Sequence, residues 1–364
     1  MKVYLSISLL IFSLIVSGCY YYDELPPDQN VWPVAHPTSV ALDADRLMSM
    51  DSVIRTNPNE AVSSIVVIKE GQLVYENYYF GTDRSTLFDL GGIGNSISNI
   101  ALGRAVDMGL ILSTDDSLYK YLPEYAQEFE DDPLKKGITF EHIMTMKSGL
   151  SWNEFTSIFD GQENDIDQII RSDNWVEYLI TKPVDALPGR RFSHNRANPL
   201  LIAAAIESQY GNSYKTFLQD ELFQDLGVND FQISEFNGNA NNAWGISMTT
   251  LDLAKLGYLY LNEGDWFGQE IISQEYAEAS VDVQSSVDYT NNFGWMWWRY
   301  ADTSNFLSAL SQNDAFFAAG VGEERLYVIP HLDLVVAITG KNEQVDFTVT
   351  APFLLRNYVL DAIQ

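Results

Sequence analysis

The chain has 364 residues, with 50 acidic against 21 basic side chains and a formal net charge of −29. That excess repels nucleic acid and anionic lipid headgroups, so neither is expected as an electrostatic partner, and it reads as a solvated, solubilising surface. A hydrophobic content of 46% with 13% aromatics excludes a disordered chain, and the length suits one large domain or two lobes.

Lys2, the apolar run Val3 to Val16 and the box Val16-Ser17-Gly18-Cys19 read as a bacterial lipoprotein signal over residues 1–18. The run is shorter than the roughly 20 apolar residues that a spanning helix needs. Cys19 is the only cysteine, which excludes an internal disulfide and makes lipid attachment its simplest use. Residues 19–38 carry the lipidated Cys19 and, with Pro26, Pro27, Pro33 and Pro37, an extended tether. Residues 39–364 are then the folded domain. These features imply a protein of the bacterial cell envelope, lipid-anchored outside the cytoplasm on the periplasmic face or the cell surface, with the membrane as its partner through Cys19.

Val66 to Tyr75 reads as a β-hairpin turning at Glu70-Gly71. Gly91, Gly92 and Gly94 cluster after Phe88-Asp89-Leu90, and Ile97 to Gly109 then places apolar residues at helical spacing and ends on glycine. The segments Ile138 to Trp152, Pro188 to Arg196 and Asp252 to Gly264 follow. Phe293-Gly294-Trp295-Met296-Trp297-Trp298 alternates in strand fashion, as core or sheet packing. Gly320-Val321-Gly322 precedes the strand-like Leu326 to Val336. The four histidines, His36, His142, His194 and His331, lack metal-ligand spacing, and the glycine cluster lacks the Gly-Lys-Ser/Thr ending of a phosphate loop. No metal and no cofactor is expected.

Taken together, these segments resemble the serine β-lactamases, DD-peptidases and related esterases, nearest the class C β-lactamase-like branch. The likeness runs from about residue 40 to 360 in the family's order. It rests on Ile138-Thr139-Phe140-Glu141-His142-Ile143-Met144-Thr145-Met146-Lys147-Ser148-Gly149-Leu150, on Pro188-Gly189-Arg190-Arg191-Phe192-Ser193-His194-Asn195-Arg196 and on Asp252-Leu253-Ala254-Lys255-Leu256-Gly257-Tyr258-Leu259-Tyr260-Leu261-Asn262. The resemblance implies an α/β fold: an antiparallel sheet flanked by helices, with a mostly helical lobe over about residues 85–270 and a site between the lobes.

The same resemblance implies chemistry that the residues do not supply. Where the family carries the Ser and Lys of Ser-x-x-Lys, this chain has Gly92 and Asn95; where it carries the tyrosine of Tyr-x-Asn, it has His194, then Asn195 and Arg196; and Lys-Thr-Gly becomes Ala318-Ala319-Gly320. Ser96 is turned about 100° from the lysine position on a helix, and Ser193 faces away from His194, so neither is expected to replace the nucleophile. The family's oxyanion-hole amides map to Gly92 and Val321, and backbone donors survive such substitutions. The residues expected to bind a ligand are therefore Gly92, His194, Asn195, Arg196, Gly320 and Val321, holding a small carbonyl- or carboxylate-bearing molecule or a cell-wall peptide. The functional expectation is a catalytically inactive relative that binds in the old cleft. The alternatives are a serine hydrolase of esters, amides or cell-wall peptides with a rewired site, and a structural lipoprotein scaffold. Cys19→Ser is expected to move the protein from the membrane to the soluble fraction, read by sedimentation of cell lysates; continued detergent-sensitive sedimentation would rule out the anchor.

Overall fold

A computed structural model describes residues 32–57, 61–155, 164–301, 314–340 and 349–364. Cys19, the signal segment and most of the tether lie outside the described residues. Trp32 is buried, with Tyr258 and Trp266 edge-on to it at ring-centroid distances of 5.9 and 5.8 Å. Val34 bridges Leu73, so the packed body extends upstream of Ser39.

The expected hairpin forms from β1 (Val62–Lys69) and β2 (Gln72–Tyr78). Glu70 and Gly71 at its turn have φ of 52° and 68°, the pair of positive values that a tight type I′ connection requires. An eight-stranded antiparallel sheet continues from it. Its order is Ser285–Ser286, Asn291–Phe293, Trp298–Tyr300, Phe316–Ala319, Arg325–Ile329, Leu334–Gly340, β1 and β2. Alternation along the strands divides two cores. Val66, Ile68, Ala318, Leu326, Val328, Val335 and Ala337 face the helical lobe. Ile65, Val67, Phe317, Tyr327, Ile329, Val336 and Ile338 face the other way, in the cluster that holds Leu47, Met50 and Ile54 of α1 (Ala44–Arg55) and Leu354 and Leu355 near the C-terminus.

Between β2 and Ser285 the chain is mostly helical. A small sheet there pairs β3 (Phe88–Asp89) with Ile246–Met248, and Ile246–Met248 with Phe231–Ile233. The central helix α2 (Ile93–Asp107) is buried on nearly every side, including its polar residues. Burial of Ser96, Ser98 and Asn99 is tolerated because they are bonded. Ser96 Oγ donates to Met296 O at 2.6 Å, Tyr260 OH donates to Asn99 Oδ1 at 2.6 Å, and Asn242 Nδ2 donates to Ser98 Oγ at 3.2 Å. Ser96 therefore fastens α2 to the aromatic segment, consistent with a packing role rather than a nucleophilic one.

The aromatic run departs from the single strand expected for it. Asn291–Phe293 and Trp298–Tyr300 are two antiparallel strands, and residues 294–297 form the corner between them. Met296 takes a φ of 61°, its N–H donates to Met144 O at 3.0 Å, and the Trp297 side chain is fully buried. Burying that indole in the helical lobe, rather than continuing the pleat, turns the chain.

Gly94 fits α2 against the segment before Ile246. A Cβ placed on it would stand 2.7 Å from Asn242 O and 2.8 Å from Ala243 O. Gly→Ala inside a helix is ordinarily worth about 1 kcal/mol in its favour. Here Gly94→Ala is expected to lose about 1–2 kcal/mol net by chemical denaturation, because backbone cannot yield as a side chain can; a stabilised variant would contradict this packing.

Candidate functional site

Two groups of the expected residues come together in separate clusters. The first is built by the start of α2 and the hairpin that joins Phe316–Ala319 to Arg325–Ile329. Gly91 has a φ of 50°, and its N–H donates to Asp89 Oδ1 at 2.9 Å, which sets the turn into α2. A Cβ on Gly91 would stand 3.1 Å from Val321 N, so the Val321 amide abuts the helix start. The amides of Gly92 and Val321 have no acceptor among the described residues. Gly92 is the N-cap of this 15-residue helix, whose dipole favours negative charge there.

The backbone of the strand Phe316–Ala319 comes close beside Gly92. A Cβ on Gly92 would stand only 2.7 Å from Ala319 O, closer than such atoms approach. Ala318 is fully buried on the sheet face toward the helical lobe. Asn95, one turn into α2, is buried, and its Oδ1 has no partner among the described residues.

The second cluster centres on Glu154, which the sequence reading did not single out. Its side chain is fully buried. Oε1 lies 2.7 Å from His194 Nδ1 and 3.5 Å from Arg196 Nε, while Oε2 accepts from Trp152 Nε1 at 2.7 Å and from the Arg196 backbone N–H at 3.0 Å. Burial works against the charged form, but the His194 bond and charge, the Arg196 amide and the Arg196 charge outweigh it and hold the carboxyl down at about 2. The His194 ring also stacks on Trp298, with centroids 5.9 Å apart and planes 26° from parallel. His194 is thus held at one nitrogen and along one face. Arg196 spends its backbone amide and part of its guanidinium on Glu154 rather than standing free for a ligand.

Asn195 points inward: it is 1% exposed, and its Oδ1 accepts the Ala197 N–H at 2.9 Å. Gly320 sits in the hairpin, and the Val321 side chain is exposed beside it. Among the described residues no group of three His, Cys, Asp or Glu is placed to hold a metal. His142 closes a capping box with Thr139, and His331 Nδ1 lies 2.6 Å from Asp314 Oδ1. The available signal for Glu154 was faint: it is the only charged residue between Lys147 and Asp160.

The beta-lactamase family profile matches residues 51–355. The chain belongs to the beta-lactamase family. An uncharacterized protein of Alkalihalophilus pseudofirmus is 22% identical over 292 residues, which is 75% of this chain and 82% of that protein. Among solved structures, a Bacillus anthracis protein assigned as a 6-aminohexanoate-dimer hydrolase superposes with a TM-score of 0.71 at 18% identity, over 91% of this chain and 87% of that one. The octameric penicillin-binding protein homologue of Pyrococcus abyssi gives 0.66 at 20% identity, over 88% and 77%. At these identities the likeness concerns the fold: an antiparallel sheet flanked by helices, as beta-lactamase-family members have.

Glu154→Gln is expected to cost about 2 kcal/mol at pH 7, because a buried charge-assisted bond to His194 is replaced by neutral ones. With a folded value of about 2 against an ordinary 4.5, the Glu154 contribution is full above pH 4.5 and fades as pH falls toward 2. The deficit of the variant should therefore shrink between pH 7 and pH 3 in denaturant titrations; an equal deficit at both would contradict the ionised Glu154 carboxylate.

Proposed function

We propose that this beta-lactamase-family chain has lost the serine acyl-transfer route and uses the former site to bind a carbonyl- or carboxylate-bearing ligand at the Gly92 and Val321 amides. One observation carries the reading: the Ala319 carbonyl oxygen occupies the space that a side chain at position 92 would need. Removal of a serine nucleophile costs on the order of 10⁶ in turnover, and the lysine and tyrosine positions, Asn95 and His194, do not replace the missing proton relay. The unpaired amides at the α2 start support the binding half, because converging N–H donors attract a carbonyl or carboxylate whatever the neighbouring side chains are. The lipobox ending in Cys19 supports a place on the outer side of a membrane, where a cell-wall peptide is a candidate ligand. No helix among the described residues is long and apolar enough to cross a membrane.

A second reading is favoured by the Glu154–His194 contact. A histidine oriented at Nδ1 by a buried carboxylate is the arrangement that prepares Nε2 to take a proton from water. In that reading the site is a rewired hydrolase in which no acyl-enzyme forms.

A fluorescent penicillin and a fluorophosphonate probe separate these readings from the ordinary family mechanism. Neither should leave a covalent adduct on the protein, and Gly92→Ser with Asn95→Lys should stay unlabelled while losing stability, because the restored Cβ meets Ala319 O. A stoichiometric adduct on any serine of the native chain would overturn the proposal. Calorimetric titration with acetyl-Ala-Ala, which carries both a carbonyl and a carboxylate, should saturate without turnover; release of alanine that disappears in His194→Ala would favour the second reading.

A further inference from the structure

The hairpin that carries Val321 also carries a buried acid. Gly320 N–H donates to Glu324 O at 2.9 Å to close the turn. Arg325 Nη1 donates to the carbonyls of Gly320, Gly322 and Glu324 at 3.2, 3.1 and 2.6 Å. That guanidinium therefore caps the backbone rather than pairing with the Glu324 carboxyl. The Glu324 side chain is fully buried beneath the turn. Its Oε2 accepts the Gly322 N–H at 2.9 Å, and its Oε1 has no partner among the described residues. A Cβ on Gly320 would stand 2.7 Å from Glu324 Oε2 and 2.8 Å from Leu90 O, so the carboxyl is wedged under Gly320 beside the junction of β3 and α2.

The charges around it do not favour its ionised form. Asp89 on β3 adds like charge, and Glu323 is turned away to accept the Ala351 N–H at 2.6 Å. Arg325 offers only partial relief. Burial pushes the Glu324 carboxyl up to about 7, with its own amide, the Gly322 amide and the Arg325 charge pulling the other way and Asp89 adding to the rise. A carboxylate with one oxygen unpaired and shut away from water is much less stable there than the neutral acid. Solvent is close, since Val321 at the tip of the hairpin is 62% exposed.

We propose that Glu324 is a latch on the amide pair: its neutral carboxyl, packed beneath Gly320, holds Val321 N–H against the start of α2, and on losing its proton it leaves for solvent and carries the hairpin with it. The sheet beyond Ala319 and Arg325 is unaffected, because its ladder of bonds does not depend on the carboxyl. The latch regulates ligand uptake only if the Gly92–Val321 reading above holds; the movement itself does not depend on that reading.

Hydrogen exchange on the full-length chain between pH 5.5 and 8.5, corrected for the intrinsic pH dependence of exchange, tests it. The folded value is raised above the ordinary 4.5, so the closed hairpin is favoured at low pH and weakened as pH rises through about 7. Protection of the Gly320 and Gly322 amides, which bond to Glu324, should fall about tenfold across that range, while that of Leu334–Gly340 stays constant. Glu324→Gln, a neutral mimic, should keep the hairpin protected at every pH. If that variant does not fold, Asp89→Asn, which keeps an acceptor for the Gly91 N–H, should move the midpoint to lower pH by removing the like charge. A flat profile in the native chain, a native midpoint in Glu324→Gln, or an unmoved midpoint in Asp89→Asn would overturn the latch. A hairpin that titrates as described in a protein that takes up no acetyl-Ala-Ala would fault the binding reading and leave the latch standing.

Discussion

The backbone-to-backbone approach between the start of α2 and the strand Phe316–Ala319 governs the rest of this site. Ala319 O reaches the space beside Gly92, and Val321 N reaches that beside Gly91. Only residues without a Cβ permit both approaches at an unstrained separation. The approach sets the Val321 amide beside Gly91, seats the Glu324 carboxyl under Gly320, and leaves no room for a Cβ at position 92. In this chain a single spacing therefore ties the hairpin to the helix start and leaves position 92 no room for a side chain.

The second organising element is electrostatic and local. A surface of net charge −29 is screened over about 10 Å at ordinary salt, so it sets solubility rather than the state of buried groups. Glu154 and Glu324 show how far two buried carboxyls can diverge inside one such protein. Glu154 collects the Arg196 guanidinium, the His194 ring and two N–H donors and stays ionised. Glu324 has a guanidinium next to it in sequence, yet that group is committed to carbonyls, and the acid is driven toward its neutral form. The direction of each shift follows from what the nearest donors are already bonded to.

The larger elements were legible because their signals are local. The β1–β2 hairpin announced itself through its turn and its apolar runs, and α2 through periodicity and a closing glycine. The place of Gly92 and Asn95 at the start of a helix was legible too. What lies beside Gly92 was not: Ala319 contributes a carbonyl oxygen, and every residue type has one. Glu154 carried no motif, and its importance arises only when Trp152, His194 and Arg196 converge on it. The aromatic run was read by alternation, yet the burial of Trp297 overrode the strand pattern at Gly294 and Met296. Arg196 and Asn195 were read as cleft residues from their place beside His194, whereas nearby acceptors and donors of the chain itself draw both inward.

One feature of the sheet bears on how the molecule is made. β1 is hydrogen-bonded on one side to Leu334–Gly340, with Val62 opposite Gly340, and Asp43 N–H donates to Ala362 O at 2.7 Å. β1 thus takes one of its two neighbours from a strand far along the chain. Closing so long a loop is slow, and until it closes β1 presents an unpaired edge rich in valine and isoleucine. The sheet therefore stays incomplete until that distant strand is in place, and the open edge is exposed to aggregation in the interval.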